Sequence, residues 1–146
     1  IEVAQCRPGS DSKIMRESAQ RMGLVHAWSN LSRMVDGQER IVIVDAIFGT
    51  GLSRAPTGLA LDAIHWINAH ASKGTSIYAI DLPSGMDCDS GKALGAEADA
   101  VIATRTLTMV AKKAGFSSYS AHSYLGIITE IPIGGPPITR RSQIVE

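Results

Sequence analysis

An excess of either charge is the first thing this sequence lacks: 14 Lys and Arg residues balance 14 Asp and Glu, a formal net charge of zero. No long-range field therefore draws the chain to nucleic acid or to an anionic membrane, although neutrality is compatible with a local phosphate site. Cysteine is scarce. Cys6 and Cys88 are the two present and form no CxxC pair. Two free thiols in a reducing, cytoplasmic setting are the expectation, with a Cys6–Cys88 disulfide as the alternative. No stretch approaches the roughly 18 consecutive apolar residues of a membrane span, and no signal peptide is visible. Several catalytic signatures are missing too. The GxGxxG dinucleotide fingerprint fails because Arg54 takes the place of its third glycine, and no loop ends in GK[ST]. Ser84 is not set in a GxSxG nucleophile elbow. His26, His65, His70 and His122 show no metal-ligand spacing.

What is present describes an ordinary globular domain. The 146 residues are 45% hydrophobic and 19% charged, enough for one core and too few for two. The hydrophobic pattern places one domain over residues 1–133 and a surface tail over 134–146, with no internal repeat. The chain opens on Ile1-Glu2-Val3, a strand already under way to Cys6, and further sequence upstream is expected. A turn at Pro8-Gly9 leads to Ser10 or Asp11 as an N-cap, then to a helix ending at Gly23 that buries Met15, Ala19 and Met22. Residues 24–28 read as a short strand and 30–35 as a helical stretch.

Ile41-Val42-Ile43-Val44 is a continuous β-branched run, the pattern of a central parallel strand buried on both faces. It ends at Asp45, and the loop that follows opens a helix near Thr57 with Ala60, Ile64, Ile67 and Ala71 along one side. Gly74 breaks that helix. A second strand over 76–80 ends at Asp81, a third is expected over 98–104 and a last over 127–133. Strand, loop, helix and strand within one short stretch imply right-handed parallel crossovers. The fold class is α/β, a Rossmann-like three-layer α/β/α domain with a mostly parallel sheet.

Two strands thus hand over to an aspartate, Val44-Asp45 and Ile80-Asp81, at the end where open parallel sheets bind ligands. An Asp there also commonly does no more than bond the following turn. Gly49 and Gly51 allow close backbone approach, and Arg54 can make paired bonds to a phosphate. In Asp81-Leu82-Pro83-Ser84-Gly85, Pro83 restricts both itself and Leu82, so Asp81 and the Ser84 hydroxyl are held in set directions. Ser84 then suits an oxygen ligand. Lys113 reads as a solvated surface lysine with a phosphate or carboxylate within reach, and Trp66 as packing.

Three ordered blocks carry a resemblance: Asp45-Ala46-Ile47-Phe48-Gly49-Thr50-Gly51-Leu52-Ser53-Arg54, then Ile80-Asp81-Leu82-Pro83-Ser84-Gly85-Met86-Asp87 with Ser90-Gly91, then Thr106-Leu107-Thr108 with Lys113 and Gly115. Together they resemble the YjeF N-terminal domain family, closely over 42–133 and more weakly over 1–37. The resemblance implies an isomerase of nicotinamide nucleotide repair that interconverts the R and S forms of NADH and NADPH hydrates at C6. It implies one potassium ion per subunit, ligated by Asp45 and Ser84. Gly49, Thr50, Gly51, Leu52, Ser53, Arg54 and Ala55 would line the substrate, and Asp81 would bind its reacting end; because hydroxide leaves poorly, Asp81 is then the candidate catalytic acid, returning as base when water re-adds. A homodimer is implied as well. Met109 stands where the family has Phe, and the family's GNNGGDG-like loop would lie upstream of Ile1. Some relatives of this domain have lost catalysis and serve as dimerisation or RNA-binding scaffolds. That alternative is disfavoured because Asp45, the Gly49 loop, Asp81 and Ser84 are all kept.

Overall fold

The fold is taken from a computed structural model, which describes residues 11–35, 37–38, 40–71 and 74–134. The expected first strand over 1–6, Cys6, and the tail from residue 135 onward lie outside the described residues. Four strands, β1 (Ile41–Asp45), β2 (Thr75–Ile80), β3 (Arg105–Met109) and β4 (Ile127–Ile131), form one sheet in the order β1-β2-β3-β4. All three pairings are parallel. Helices α1 (Asp11–Arg21), α2 (Leu31–Val35), α3 (Leu59–Ala69) and α4 (His122–Leu125) flank it. This is the expected Rossmann-like α/β arrangement, and it brings the carboxyl ends of the strands to one edge.

Two apolar clusters hold the layers together. Ile64 and Ile67 of α3 pack on Ile77 and Ala79 of β2 and on Val101 and Ala103, with Ile43 and Trp66 at the margin. Ala60 is half-buried, while Ala71 falls past the helix end and is exposed. The second cluster joins Leu82 and Met86, from the turn after β2, to Ala100, Phe116, Ala121, Tyr124 and Leu125. Trp66 meets the edge of Trp28 and stacks on His70, so it serves packing as expected.

Four expectations are corrected. The segment 98–104 buries Ala100, Val101 and Ala103 but exposes Ala98, Ile102 and Thr104, and it is not a strand: a 3-10 turn at Glu97–Asp99 leads into it, and β3 begins only at Arg105. Its backbone bonds irregular partners instead of a ladder. The Asn68 amide donates to the Ala98 and Ala100 carbonyls while its oxygen accepts from the Ile102 amide. The Val101 amide donates to the Ser84 carbonyl and that of Ala103 to Tyr124. Residues 24–27 form no strand either, but lead irregularly into a 3-10 turn at Trp28–Asn30 and then α2; no described strand lies alongside to pair with them.

β1 lies at the edge of the described sheet, not its centre, with Val42 68% and Val44 58% exposed. α1 likewise leaves Met15 and Met22 exposed and Ala19 only half-buried. Periodicity reports which residues share a face; it does not supply the layer that covers it. The helix does stop where the sequence places its end. Gly23 adopts φ +70°, and the Gly23 and Leu24 amides donate back to the Gln20 and Ala19 carbonyls.

Gly126 links α4 to β4 at φ +56°, where a β-carbon would run into the Ala103 and Thr104 carbonyls. A side chain there meets both a strained backbone and immovable main-chain atoms. Gly126→Ala is expected to lower stability by about 2–3 kcal/mol, measurable as a fall in the urea midpoint.

Candidate active site at the carboxyl edge of the sheet

β1 delivers Asp45 to this edge as its last residue, in register with Ala79 of β2. The Asp45 side chain has no exposure to solvent. Its oxygens are claimed by the turn after β2: the Ser84 amide donates to Oδ2 at 2.8 Å and the Ser84 hydroxyl to Oδ1 at 2.6 Å. The Ile47 amide adds a longer bond to Oδ1 at 3.3 Å. Burial pushes the Asp45 carboxyl above its ordinary value and outweighs the bonds from Ser84 and Ile47, which pull the other way. Among the described residues no cationic side chain pairs with it.

Ser84 is itself buried and accepts a bond from the Phe48 amide at 3.0 Å, with the Phe48 carbonyl 3.5 Å from the same hydroxyl. Serine, carboxylate and the start of the glycine loop are therefore one unit. The loop borders an open cleft of 420 Å³ lined by Ile47, Phe48, Gly49, Gly51, Leu52, Ser53 and Arg54. Thr50 turns its carbonyl toward the Cys88 thiol at 3.8 Å, and Ala55 is half-buried behind the loop. The loop does not open directly onto the helix: α3 starts at Leu59, after Gly58 at φ +57°. Arg54, exposed on the loop, lines the cleft and brings positive charge to it.

Asp81 follows β2 at φ +72°, a left-handed conformation that few non-glycine residues adopt. Its amide still bonds the Leu107 carbonyl at 2.9 Å, so the strand pairing runs to the kink. Asp81 Oδ1 collects three donors: Lys113 Nζ at 2.6 Å, the Met109 amide at 3.1 Å and the Thr108 hydroxyl at 3.4 Å. Desolvation pushes this carboxyl upward, but the hydrogen bond from Lys113, the Met109 amide, the lysine charge and the Thr108 bond together hold it below its ordinary value. Lys113 Nζ also donates to the Met109 and Ala111 carbonyls at 3.2 and 3.4 Å. The turn that wraps the ammonium depends on Val110 at φ +66°. Strain of this kind in a β-branched residue costs of order 1–3 kcal/mol and is concentrated at functional sites.

The expected residues therefore form two networks along one edge. Asp45, Ser84 and the glycine loop make one; Asp81 makes the other, with partners weighed differently or not at all in the sequence. No hydrogen bond or ion pair joins Asp45 to Asp81 among the described residues; Leu82 and Pro83 connect them. Lys113 is not a solvated surface lysine but a partly buried ion-pair partner. Expecting the strand over 98–104 hid it: the strand that ends beside Asp81 is β3, and Lys113 lies in the turn after it. Met109 contributes its amide, while its side chain is 38% exposed. Among the histidines, His65 pairs with Asp99 at 2.8 Å and His70 with the Trp66 carbonyl. No group of three or more His, Cys, Asp or Glu residues is placed to hold a metal among the described residues, and Cys88 is a free thiol.

Comparison with known proteins places these groups in context. Residues 8–115 match the family described as YjeF-related protein N-terminus. The chain is 34% identical over 124 residues to the NAD(P)H-hydrate epimerase of Oenococcus oeni, covering 85% of this chain and 54% of that protein. It is 43% identical over 93 residues to the NAD(P)H-hydrate epimerase of Levilactobacillus brevis, covering 64% and 40% respectively. A bifunctional NAD(P)H-hydrate repair enzyme of Synechocystis is 36% identical over 107 residues, 70% of this chain and 19% of that one. The chain thus spans about half or less of the length of these relatives.

The lowered Asp81 value sets a sign for acid stability. A carboxyl held low in the folded state stabilises the fold above its ordinary value of 3.8, and that contribution is lost as pH falls through the lower, folded-state value. Lys113→Gln should cost roughly 1 kcal/mol at neutral pH for this partly screened pair. The difference from the parent should close in acid, as read from urea midpoints across the range.

Proposed function

This chain belongs to the YjeF-related protein N-terminus family, and on that premise we propose that it takes part in epimerising the C6 hydroxyl of NADH and NADPH hydrates. The observation that carries the reading is the wiring of two carboxylates on neighbouring strands into different environments beside the glycine loop. Asp45 is buried and bonded to Ser84, whereas Asp81 is reachable and paired with Lys113. A scaffold has no use for such a division.

Inverting the centre at C6 requires its C–O bond to break and re-form on the opposite face of the ring. The ring nitrogen's lone pair expels the hydroxyl, leaving a cation delocalised over nitrogen and C6, and a proton must reach the departing oxygen because hydroxide leaves poorly. Asp81 acts as that acid and, when water returns, as the base. In the unliganded site Asp81 is the carboxylate of an ion pair, so the proton is supplied through Lys113 Nζ, 2.6 Å away. The departing oxygen gains a proton from the pair and the entering water gives one back, leaving the balance unchanged. The Asp81 charge also stabilises the cationic ring.

Substrate phosphates fit the cleft of the glycine loop, where small residues allow close approach and Arg54 supplies a guanidinium. The Asp45 carboxylate, the Ser84 hydroxyl and the Phe48 carbonyl are the groups that would hold potassium. A carboxylate buried without a cationic partner is consistent with a resident cation, and a large monovalent ion suits a loose shell of oxygens. When bound, the ion supplies positive charge beside the substrate and keeps Asp45 ionised. The proposal extends to one ion per subunit, a homodimer and a cytoplasmic location. No described helix is long and apolar enough to cross a membrane.

Two measurements test this on the full-length protein. Asp81→Ala is expected to reduce hydrate epimer interconversion, followed by NMR or chromatography, by about two to four orders of magnitude while the fold persists; full activity would remove the mechanism. Asp45→Ala is expected to abolish the activation of epimerisation by potassium. An ion titration indistinguishable from the parent's would remove the cation site.

A further inference from the structure

β3 turns two threonines inward, and their hydroxyls behave differently. Both side chains are fully buried. Thr106 spends its hydroxyl on one short bond, 2.7 Å to the Leu125 carbonyl, which ties β3 to α4. Thr108 has two acceptors and one proton: Asp81 Oδ1 at 3.4 Å and the Ala111 carbonyl at 3.2 Å. Lys113 Nζ donates to the same two oxygens, so donors and acceptors alternate around a closed ring of Lys113, Asp81, Thr108 and Ala111. Val110 at φ +66° makes the turn that folds the Ala111 carbonyl back over the strand end, and a bond from its amide to the Ile131 carbonyl pins the turn to β4.

A buried hydroxyl between two acceptors can follow a change of charge. We propose that Thr108 is a positioning residue that keeps Asp81 hydrogen-bonded in both of its protonation states by turning one hydroxyl between the Asp81 carboxyl and the Ala111 carbonyl. When Asp81 is ionised, Thr108 donates to Oδ1. When Asp81 carries a proton, its O–H donates to Thr108 Oγ1 and the threonine proton turns to Ala111. Neither state strands a buried polar group, which is what a residue alternating between acid and base requires. The inference rests on the reading of Asp81 as the acid and base.

Full-length protein carrying Thr108→Val, which keeps the shape and removes the hydroxyl, is compared with Thr108→Ser, which restores it. Thr108→Ala carries the expectation of Thr108→Val should the latter not fold. Thr108→Val should lower kcat for hydrate epimerisation by about ten- to a hundred-fold with KM unchanged. It should also raise the Asp81 titration midpoint, followed by NMR of its carboxyl carbon, and Thr108→Ser should return both to the parent values. Equal behaviour of the valine variant and the parent, or a serine variant as impaired as the valine one, overturns the proposal. A midpoint that moves with valine and returns with serine, in a protein that epimerises nothing, overturns the functional reading and leaves the role of Thr108 standing.

Discussion

The structure depends on one buried carboxylate. Asp45 ends β1 without contact with solvent and is held by both the amide and the hydroxyl of Ser84, so the strand cannot part from the turn after β2 without stranding a charge or its donors. That turn is anchored from its other side as well. The Ser84 carbonyl accepts from Val101 and the Gly85 carbonyl from Leu94, while Gly85 at φ +93° lies against the Asp99 backbone too closely for any side chain. Leu82 and Met86 then enter the second apolar cluster. A short segment therefore joins the sheet, the irregular 98–104 stretch and the core, and it begins beside Asp81 and carries Ser84, the partner of Asp45.

The two carboxylates at this edge are chemically alike and are driven apart by their surroundings. Burial dominates at Asp45 and raises it. At Asp81 an ammonium, an amide and a hydroxyl converge on one oxygen and lower it in spite of desolvation. Opposite displacement of paired titratable groups is how a single site assigns separate tasks to the same functional group. Asp45 is enclosed by the donors of Ser84, whereas Asp81 stays partly open and is met by an ammonium.

Backbone strain marks the same place. The non-glycine residues with positive φ among those described are Asp81 and Val110, just beyond the ends of the adjacent strands β2 and β3. Each is held by a strand-type bond, from the Asp81 amide to Leu107 and from the Val110 amide to Ile131, so pairing with the next strand carries the cost of the turn. Straightening either residue would draw Asp81 and Lys113 apart. The ion pair and the strain are consequences of one geometry.

By itself, the sequence determined the local pieces. The β-branched run before Asp45, the periodic stripe of α3, the stop at Gly23 and the stiff turn at Pro83 follow from short-range sterics and hydrophobic spacing, which a linear chain displays directly. It also placed Asp45 and Asp81 at strand ends, and its three ordered blocks pointed to the family. Only the tertiary structure decided what covers what and which groups meet. It left Val42 and Val44 exposed at the edge of the described sheet, and made 98–104 an irregular, partly buried segment bonded to Asn68, Ser84 and Tyr124 instead of a strand. It also brought Lys113 and Thr108 onto Asp81. The physical reason is that a side chain's partner, and with it its charge, depends on distances between residues remote in the chain, and no local propensity encodes those.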